Sequence, residues 1–441
     1  MTTLQTFADY GAAPGPEIDA PEVRHHTKRA VLDWYAAVIP GSVEAPATLM
    51  ESVLADDLDR GGARLVNGRA ATVRTAALIN GTAAHTVEVD DIFKDAIYHP
   101  GAPTIAAALA AAHDSQANGA EFLRAVAVGY EISTRIGAAL GRAHYRYWHN
   151  TGTVGTFGAA SAAAALYRLP AAKFAHALAT AATFASGLQQ AFRMDSMSKP
   201  LHAGRAAECG VLAAQLAMAG VTGSLDVLDG EAGMGKAMSD GPDWTRAVAT
   251  LGEEFNITRM TFKNHACCGH TFAPIDGVLA LQAKLGAEPD QIRRITISTY
   301  GPALEVAGNP NPATAAEARF SLPFVVATAV LHGKVRLAAF SDERLRDPQL
   351  RALMRRIELN VDPQIDAAFP GQRSARVRFE LDDGRIEELV QPHRRGDPEL
   401  PLSDGELNEK LHELAAPVIG VASAGALRDS IWHLDSLERV P

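Results

Sequence analysis

The sequence predicts a mainly α fold, in which a smaller α+β domain is inserted into one large all-helical domain. Three observations support this prediction. Residues 70–219 are rich in alanine, the best helix former among the amino acids. Beyond about residue 262, alternating segments with many β-branched residues replace that pattern, as is typical of strands. A helical pattern returns near the C-terminus, so we expect the last helices to rejoin the first domain.

The helices of the first part are predicted from apolar and small residues at helical spacing. The first such face consists of Phe122, Val126, Gly129, Ile132 and Ile136. A second stripe, of small residues that allow helices to approach closely, consists of Ala206, Gly210, Ala213 and Ala217. The pairs Asn80-Gly81 and Pro100-Gly101 predict turns between helices.

Alternating segments predict an antiparallel sheet in the inserted domain. They are residues 294–300, 357–361 and 375–381. Asp382-Asp383-Gly384 follows the last of them and predicts a hairpin that leads into a polar strand ending near Leu389. Between the segments, the apolar residues 322–331 predict a buried helix.

The return to helix is marked by a capping box at residues 403–406 (SDGE), with leucines at helical spacing behind it. We therefore place the helical domain in residues 1–262 and 393–441, and the α+β domain in residues 263–392. A cleft between two such domains is a common place for a ligand.

Charge and cysteine content narrow the functional classes. The 441 residues include 41 Lys and Arg against 51 Asp and Glu, a formal net charge of −10. This acidic balance argues against nucleic-acid binding, which needs a basic surface. Cys209, Cys267 and Cys268 do not make the disulfide framework of a secreted protein. Because we recognise neither a signal peptide nor a membrane-spanning run, we expect a cytoplasmic protein with no membrane partner.

Three motifs suggest metal or nucleotide chemistry but fit it poorly. Residues 230–236 (GEAGMGK) have P-loop spacing, yet Ala237 stands where magnesium needs Ser or Thr, so a Gly-rich turn is the alternative. The acidic run 90–95 (DDIFKD) departs by one residue from the DDxxD diphosphate pattern, and a solvated acidic loop is its alternative. Residues 265–270 (HACCGH) lack the spacing of zinc or iron–sulfur sites. We therefore predict no metal and no cofactor.

Acid–base residues gather in three other segments. His99 precedes a predicted helix, whose free N–H groups attract anions. Tyr145 and His149 lie in an aromatic-rich joint between helices. Lys199 and His202 belong to a mainly apolar segment, in which burial would favour the neutral amine of a general base. A single histidine is more often structural, but together these residues supply several acid–base groups without a metal.

Four ordered segments, read together, resemble the MmgE/PrpD family. They are residues 77–91 (ALINGTAAHTVEVDD), 149–160 (HNTGTVGTFGAA), 199–210 (KPLHAGRAAECG) and 263–276 (KNHACCGHTFAPID). Residues 395–398 (RGDP) and 402–410 match the closing motif of the family. The resemblance implies a helical domain with an inserted α+β lid domain, assembled as a homodimer. Members include 2-methylcitrate dehydratases, cis-aconitate decarboxylases and iminodisuccinate epimerases, which perform chemistry beside a carboxylate without a cofactor.

The resemblance also implies roles for individual residues. The residues that line the pocket of decarboxylase-like members correspond to His99, His149, Lys199 and Lys263. Asp90 and Asp91 match the acidic pair before His99, and we predict that both bind substrate together with Lys263 and His202. The chain departs from the decarboxylases at two positions, since Cys268 stands in place of a His and Phe324 in place of a Tyr. Glu88 stands where many members have Asp.

These residues predict that a proton is abstracted α to a carboxylate of a small di- or tricarboxylate bound in a cationic pocket. Lys199 or His149 is the predicted base, His99 or Lys263 stabilises the enolate, and Tyr145 is a candidate acid. The first hypothesis is a 2-methylcitrate dehydratase-like hydro-lyase. The alternative is an iminodisuccinate epimerase-like proton transfer, with Cys268 opposite Lys199. A cis-aconitate-type decarboxylase and a non-catalytic carboxylate-binding protein also remain open.

Overall fold

The computed structural model describes residues 1–192, 196–333 and 335–441, and it is mainly α, as the sequence predicted. The chain forms two compact units. The first comprises Met1–Thr261 and Ser403–Pro441, and the second comprises Phe262–Leu402. Across the described ranges, no helix combines the length and the apolar character that a membrane crossing requires.

The first unit begins with a run of helices, interrupted by one small antiparallel sheet. Its helices are α1 (Thr3–Ala12), α2 (Pro21–Gly41), α3 (Ala47–Val53), α4 (Val73–Thr86), α5 (Gly101–Ser115), α6 (Gly119–Tyr145), α7 (Asn150–Leu166), α8 (Ala171–Phe184), α9 (Ser198–Ala219), α10 (Met234–Met238) and α11 (Trp244–Val248). Its strands are β1 (Leu58–Arg64) and β2 (Ala70–Ala71). The two predicted stripes of small and apolar residues lie on α6 and α9.

Small residues let α4 and α9 pack against each other with almost no side chain between them. A Cβ atom on Gly81 would lie 3.0 Å from the Cα of Gly204 and 3.2 Å from the carbonyl oxygen of Ala203. The predicted turn at Asn80-Gly81 is therefore wrong, because both residues lie inside α4. The glycine serves this close approach, and the Asn80 side-chain amide binds backbone groups at and just beyond the end of β1.

The second unit contains helices α12 (Phe272–Leu285), α13 (Gly301–Ala307), α14 (Ala315–Ala318), α15 (Leu322–His332), α16 (Asp342–Arg346), α17 (Pro348–Met354) and α18 (Pro363–Ala368). Its strands are β3 (Ile292–Thr299), β4 (Ile357–Val361), β5 (Ala375–Leu381) and β6 (Ile386–Gln391). The strands form one sheet in the order β4-β3-β5-β6. The three predicted strands, the hairpin and the buried helix are all present.

The sheet is mixed, so the prediction of an antiparallel sheet is wrong for one of its strand pairs. β3 pairs with β4 in parallel, with Ile295 opposite Ile357, whereas the other pairs are antiparallel. A parallel pair needs a long crossover connection. The helices α13 to α17 provide it, because they all lie between the two strands in the chain.

The chain returns to the first unit at Ser403. The sequence pattern predicted this return ten residues earlier, at residue 393. The intervening residues stay with the second unit through a buried ion pair. Arg394 donates to both carboxylate oxygens of Asp397, at 2.6 and 2.8 Å, and to the carbonyl of Gly269 at 3.1 Å. Two further helices follow, α19 (Asp404–Ile419), which has the predicted capping box, and α20 (Val421–Trp432).

We expect Gly204→Ala to destabilise the first unit by about 1–3 kcal/mol, because the added methyl group would collide with the carbonyl oxygen of Leu78 and the hydroxyl of Thr82. Urea unfolding of the variant and the wild type would measure this difference. Gly425→Ala is the matched control, since a Cβ atom there meets nothing within 4 Å and alanine favours helix. Equal stability of Gly204→Ala and the wild type would contradict the close helix approach.

Candidate active site

The acid–base residues of the first unit lie at the beginnings of three long helices. His99 comes two residues before α5, His149 is the N-cap of α7, and Lys199 and His202 lie in the first two turns of α9. The N-cap residues of α7 and α9 make no capping hydrogen bond with their own side chains, although the hydroxyl of Ser196 accepts from the N–H of Ser198 at the start of α9, at 3.4 Å. Uncapped helix N-termini carry partial positive charge and favour anions.

Four imidazoles form a continuous chain of ring contacts, which we call the histidine cluster (His85, His99, His149 and His202). His85, in the last turn of α4, is its central member. Its ring centroid lies 4.9 Å from that of His99 and 5.3 Å from that of His149, with which it is stacked at 24°. The rings of His149 and His202 are also 5.3 Å apart. The cluster therefore links the ends of α4, α7 and α9 with the segment before α5.

Asp90 binds two members of the histidine cluster through one carboxylate oxygen. Oδ2 lies 2.6 Å from Nδ1 of His85 and 3.3 Å from Nδ1 of His99. Since an ionised carboxylate only accepts hydrogen bonds, Nδ1 of His85 carries the proton. Nε2 of His85 is buried and has no hydrogen-bond partner among the described residues, and it carries a lone pair whenever this imidazole is neutral.

His85, Asp90 and His99 each offer one potential metal-ligand atom, and these three atoms lie within 4.8 Å of one another. Their spacing favours a hydrogen-bonded dyad over a metal site. Zinc ligands at bond lengths of about 2.0–2.1 Å in a tetrahedron lie about 3.3 Å apart. The 2.6 Å between His85 and Asp90 is instead the length of a charge-assisted hydrogen bond.

His149 and His202 are held in their neutral forms. Their Nδ1 atoms lie 3.0 Å apart, so one must donate and the other accept. Burial, followed by the nearby charges of His85 and Lys199, lowers the pKa of His149 well below its usual value. The same causes lower the pKa of His202 to about 4. These two imidazoles therefore add no positive charge to the expected cationic pocket.

Lys199 forms an ion pair with Glu88, so its expected apolar setting is wrong. The ammonium donates to Oε1 of Glu88, and the two side chains are 16% and 12% exposed. Glu88 follows the end of α4 with a left-handed backbone, at a φ of 61°. The pair sits next to Asp90 in sequence and at the first turn of α9, so it belongs to the same site as the histidine cluster.

Asp91 was predicted to bind substrate, but both of its carboxylate oxygens are bonded inside the protein. Oδ1 accepts from the backbone N–H of Gly101 at 2.9 Å, and Oδ2 accepts from the hydroxyl of Tyr130 at 2.8 Å. Burial, and then the charge of Asp33, raise the pKa of Asp91 to about 8. These contacts fix the start of α5, so we assign Asp91 a positioning role.

In the last turn of α6 the buried side chain is that of His144, whereas Tyr145 is the predicted acid. Tyr145 is half-buried, and its backbone carbonyl accepts from Gln189 at 2.8 Å. His144 is fully buried, with Nδ1 3.0 Å from the carbonyl of Met238 and Nε2 2.7 Å from the hydroxyl of Thr153. Since a carbonyl only accepts, Nδ1 carries the proton, and Nε2 accepts from the threonine.

Lys263 and Cys268 lie in the second unit, and both are buried there. In the segment that they flank, His265 bonds Asp276 at 3.0 Å and Cys267 bonds Thr271 at 3.1 Å. Further along, His270 bonds the hydroxyl of Tyr300 at 2.8 Å. His265, Cys267 and His270 thus each bond a different partner.

Comparison with known proteins decides the family. A model of the MmgE/PrpD N-terminal domain matches residues 5–247, and a model of the MmgE/PrpD C-terminal domain matches residues 265–436. The chain belongs to the MmgE/PrpD family. The two matched ranges include the segments on which the resemblance rested, except Lys263 and Asn264 at the start of one of them.

Individual relatives of this MmgE/PrpD protein point to lyases. A cis-aconitate decarboxylase-like protein of Aspergillus oryzae is 28% identical over 448 residues, covering 94% of this chain and 91% of that protein. The cis-aconitate decarboxylase of Homo sapiens is 29% identical over 374 residues, covering 82% and 77%. That of Aspergillus terreus is 25% identical over 389 residues, covering 82% and 78%. These relatives support an enzyme with a lyase-type activity.

Sequence reasoning missed two members of this site. His85 stands inside the segment 77–91 that carried the resemblance, but a lone histidine near the end of an alanine-rich helix gave no sign of contact with His149 or Asp90. Glu88 was noted only as a departure from Asp. The available signal was the spacing of His85, Glu88 and Asp90, which places three polar side chains within six residues at a helix end.

We expect the buried neutral His144 to make the first unit sensitive to acid. Burial lowers the pKa of His144 to about 4. The stabilisation that depends on neutral His144 is therefore complete above about pH 6.5, the pKa of histidine in the unfolded chain. It is lost as the pH falls toward 4. At about 1.4 kcal/mol per pH unit, this loss is about 3 kcal/mol.

The fall in unfolding free energy between pH 6.5 and pH 4 should be smaller by that amount in His144→Gln than in the wild type. Urea unfolding at a series of pH values would measure it. The exposed His412 provides the control variant, His412→Gln. If both variants show the wild-type pH dependence, His144 is not held neutral in the folded protein.

Proposed function

We propose that this protein is a cofactor-independent lyase that removes a proton α to a carboxylate of a small di- or tricarboxylate. The specific reaction that we propose is dehydration of a 2-methylcitrate-like hydroxy acid. One observation carries the proposal, namely that the N-termini of α7 and α9 meet at the neutral imidazoles of His149 and His202. Such a site offers anion-binding N–H groups and proton-accepting side chains together.

Asp90 supports His99 as the general base. Its Oδ2 atom lies 3.3 Å from Nδ1 of His99, a distance at which the carboxylate charge favours a proton on Nδ1 and a lone pair on Nε2. The His99 side chain is 14% exposed, whereas that of His85 is fully buried. His99 is therefore the Asp90-bound imidazole that a substrate can reach, and we assign it the first proton transfer.

Lys199 fits the role of general acid better than that of base. An ammonium that is paired with the Glu88 carboxylate holds a proton to give, and a leaving hydroxyl must be protonated as it departs. In the proposed step, Nε2 of His99 takes the α proton, the C–O bond breaks, and the hydroxyl leaves as water with a proton from Lys199. The electron pair of the C–H bond becomes the new double bond. N–H groups at the helix ends stabilise the enolate charge.

A second candidate is decarboxylation of a cis-aconitate-like acid, which the names of the relatives favour. Removing water from a citrate-like acid gives an aconitate-like acid, so the product of one reaction and the substrate of the other share one carbon skeleton. A site shaped for one fits the other. The epimerase alternative shares the first proton transfer, and any role for Lys263 or Cys268 in these reactions stays a prediction.

Asp90→Asn should lower kcat by about 10²–10⁴ and leave KM within about threefold. The amide keeps the size of the side chain but no longer holds the His99 tautomer, as is known for carboxylates that orient a histidine base. Steady-state kinetics would measure this effect, on the substrate that the NMR panel of the next paragraph identifies. Asp95→Asn is the control, because Asp95 pairs with Arg259 on the surface. A normal kcat in Asp90→Asn would remove Asp90 and His99 from the mechanism.

Proton NMR in heavy water, with a chelator present, distinguishes the proposed reaction from its rivals. The panel consists of citrate, 2-methylcitrate, malate, cis-aconitate and iminodisuccinate stereoisomers. We expect a new olefinic signal from a hydroxy acid. A terminal methylene signal from cis-aconitate would establish decarboxylation instead, and deuterium uptake with inversion but no olefin would establish epimerisation. Absence of any change across the panel would overturn the proposed function, and dependence on a metal would overturn the cofactor-independent mechanism.

A further inference from the structure

The Glu88–Lys199 pair places one hydrogen-bond acceptor and one cationic donor side by side at the edge of the histidine cluster. Both side chains keep some exposure, 12% for Glu88 and 16% for Lys199; the residues on either side of Glu88 are buried, whereas those just before Lys199 are exposed. The ammonium lies in the first turn of α9, and the carboxylate lies two residues before Asp90. The pair is therefore within the site and accessible at its surface.

The backbone at Glu88 indicates that its side chain has a function. The left-handed conformation at a φ of 61°, just after the end of a helix, is where glycine is normally found. Any other residue there costs on the order of 1 kcal/mol. Glutamate occupies this position although the backbone conformation favours glycine, so we infer that its carboxylate has a function.

The charges of the pair decide which ligand group it accepts. A ligand carboxylate that approached Lys199 would also meet the negative charge of Glu88 at a similar distance, and like charges so close repel. A hydroxyl group carries no charge and both donates and accepts hydrogen bonds. It can accept from the Lys199 ammonium and donate to the Glu88 carboxylate at the same time.

We propose that Glu88 makes this site selective for hydroxy acids, because Glu88 and Lys199 together bind the substrate hydroxyl and Glu88 repels a carboxylate from that position. This inference rests on the proposed function only in naming Lys199 as the acid that meets the hydroxyl. It adds a specificity-determining residue that the reaction scheme itself does not require.

Two ligand pairs that differ only in a hydroxyl test the inference by binding. They are citrate against propane-1,2,3-tricarboxylate, and malate against succinate. Isothermal titration calorimetry on the full-length wild type should give a dissociation constant at least about tenfold lower for the hydroxylated member of one pair. A tenfold factor is about 1.4 kcal/mol, the size of one hydrogen bond between a neutral and a charged group. Equal affinity within both pairs, or no binding of any member, would overturn the inference.

Two variants of Glu88 assign the preference to its charge. In Glu88→Gln we expect the hydroxyl preference to fall below about threefold and propane-1,2,3-tricarboxylate to bind more tightly. Glu88→Gly should have the same effect without loss of stability, because glycine suits the left-handed backbone. It therefore remains informative if another variant fails to fold. The control is Glu121→Gln, which removes a carboxylate from the exposed pair with Arg168 and should leave the preference unchanged.

A merely structural ion pair gives a different result. In that case Glu88→Gln and Glu88→Gly unfold more easily but keep the wild-type ratio of affinities, which overturns the inference. Failure of the proposed function is separate, since it appears as an absence of turnover in the NMR experiment. The hydroxyl preference is measured by binding and holds or fails without turnover.

Discussion

A buried ion pair between the C-terminal part of the chain and the second helix fixes the segment on which the site depends. Lys410 of α19 donates to Asp33 of α2 at 2.5 Å and to the backbone carbonyl of Val89 at 2.7 Å. Val89 lies between Glu88 and Asp90, the two carboxylates that bind Lys199 and the histidine cluster. Removing one partner of such a pair leaves an uncompensated buried charge, which typically costs about 3–5 kcal/mol. The return of the chain to the first unit is thus a requirement of the site.

Small residues explain how four histidines from distant parts of the chain come together. α4 and α9 touch backbone to backbone at Gly81 and Gly204, which brings His85 at the end of one helix near His202 at the start of the other. Gly152, in the first turn of α7, leaves room for the His202 side chain and the carbonyl of Ser186. The alanine and glycine content that predicted helices therefore also sets the spacing of the acid–base groups.

The sequence predicted the fold better than the site because the two depend on different ranges of interaction. Helical and alternating periodicities are local, so the stripe on α6, the strand β4 and the capping box at Ser403 were all predicted within a few residues. The parallel pairing of β3 with β4 is a long-range choice that no local pattern encodes. Glycine is ambiguous in the same way, since Gly81 serves a turn or a close helix contact equally well until the neighbouring helix is known.

The roles of site residues were harder to predict because a residue type does not reveal its partner. The structure brings together four residues selected on chemistry and family resemblance, and their catalytic roles stay predictions; they are His99, His149, Lys199 and His202. Asp91 looked equivalent to Asp90, yet its neighbours Gly101 and Tyr130 occupy both of its oxygens. The neutral lysine expected at position 199 depended on an apolar environment. The carboxylate of Glu88, which pairs with Lys199, makes that environment charged instead.

The arrangement resolves a conflict that faces any enzyme that takes a proton from a polyanion. Cationic side chains attract the substrate, but they also lower the basicity of a neighbouring imidazole, and a protonated imidazole cannot act as a base. Helix N-termini attract anions through backbone N–H groups that do not titrate. The N-terminal ends of α7 and α9 supply about one elementary charge between them, at about +0.5 each. Because that charge is fixed in the backbone, His149 and His202 can stay neutral beside it, and an acidic protein can still hold a carboxylate.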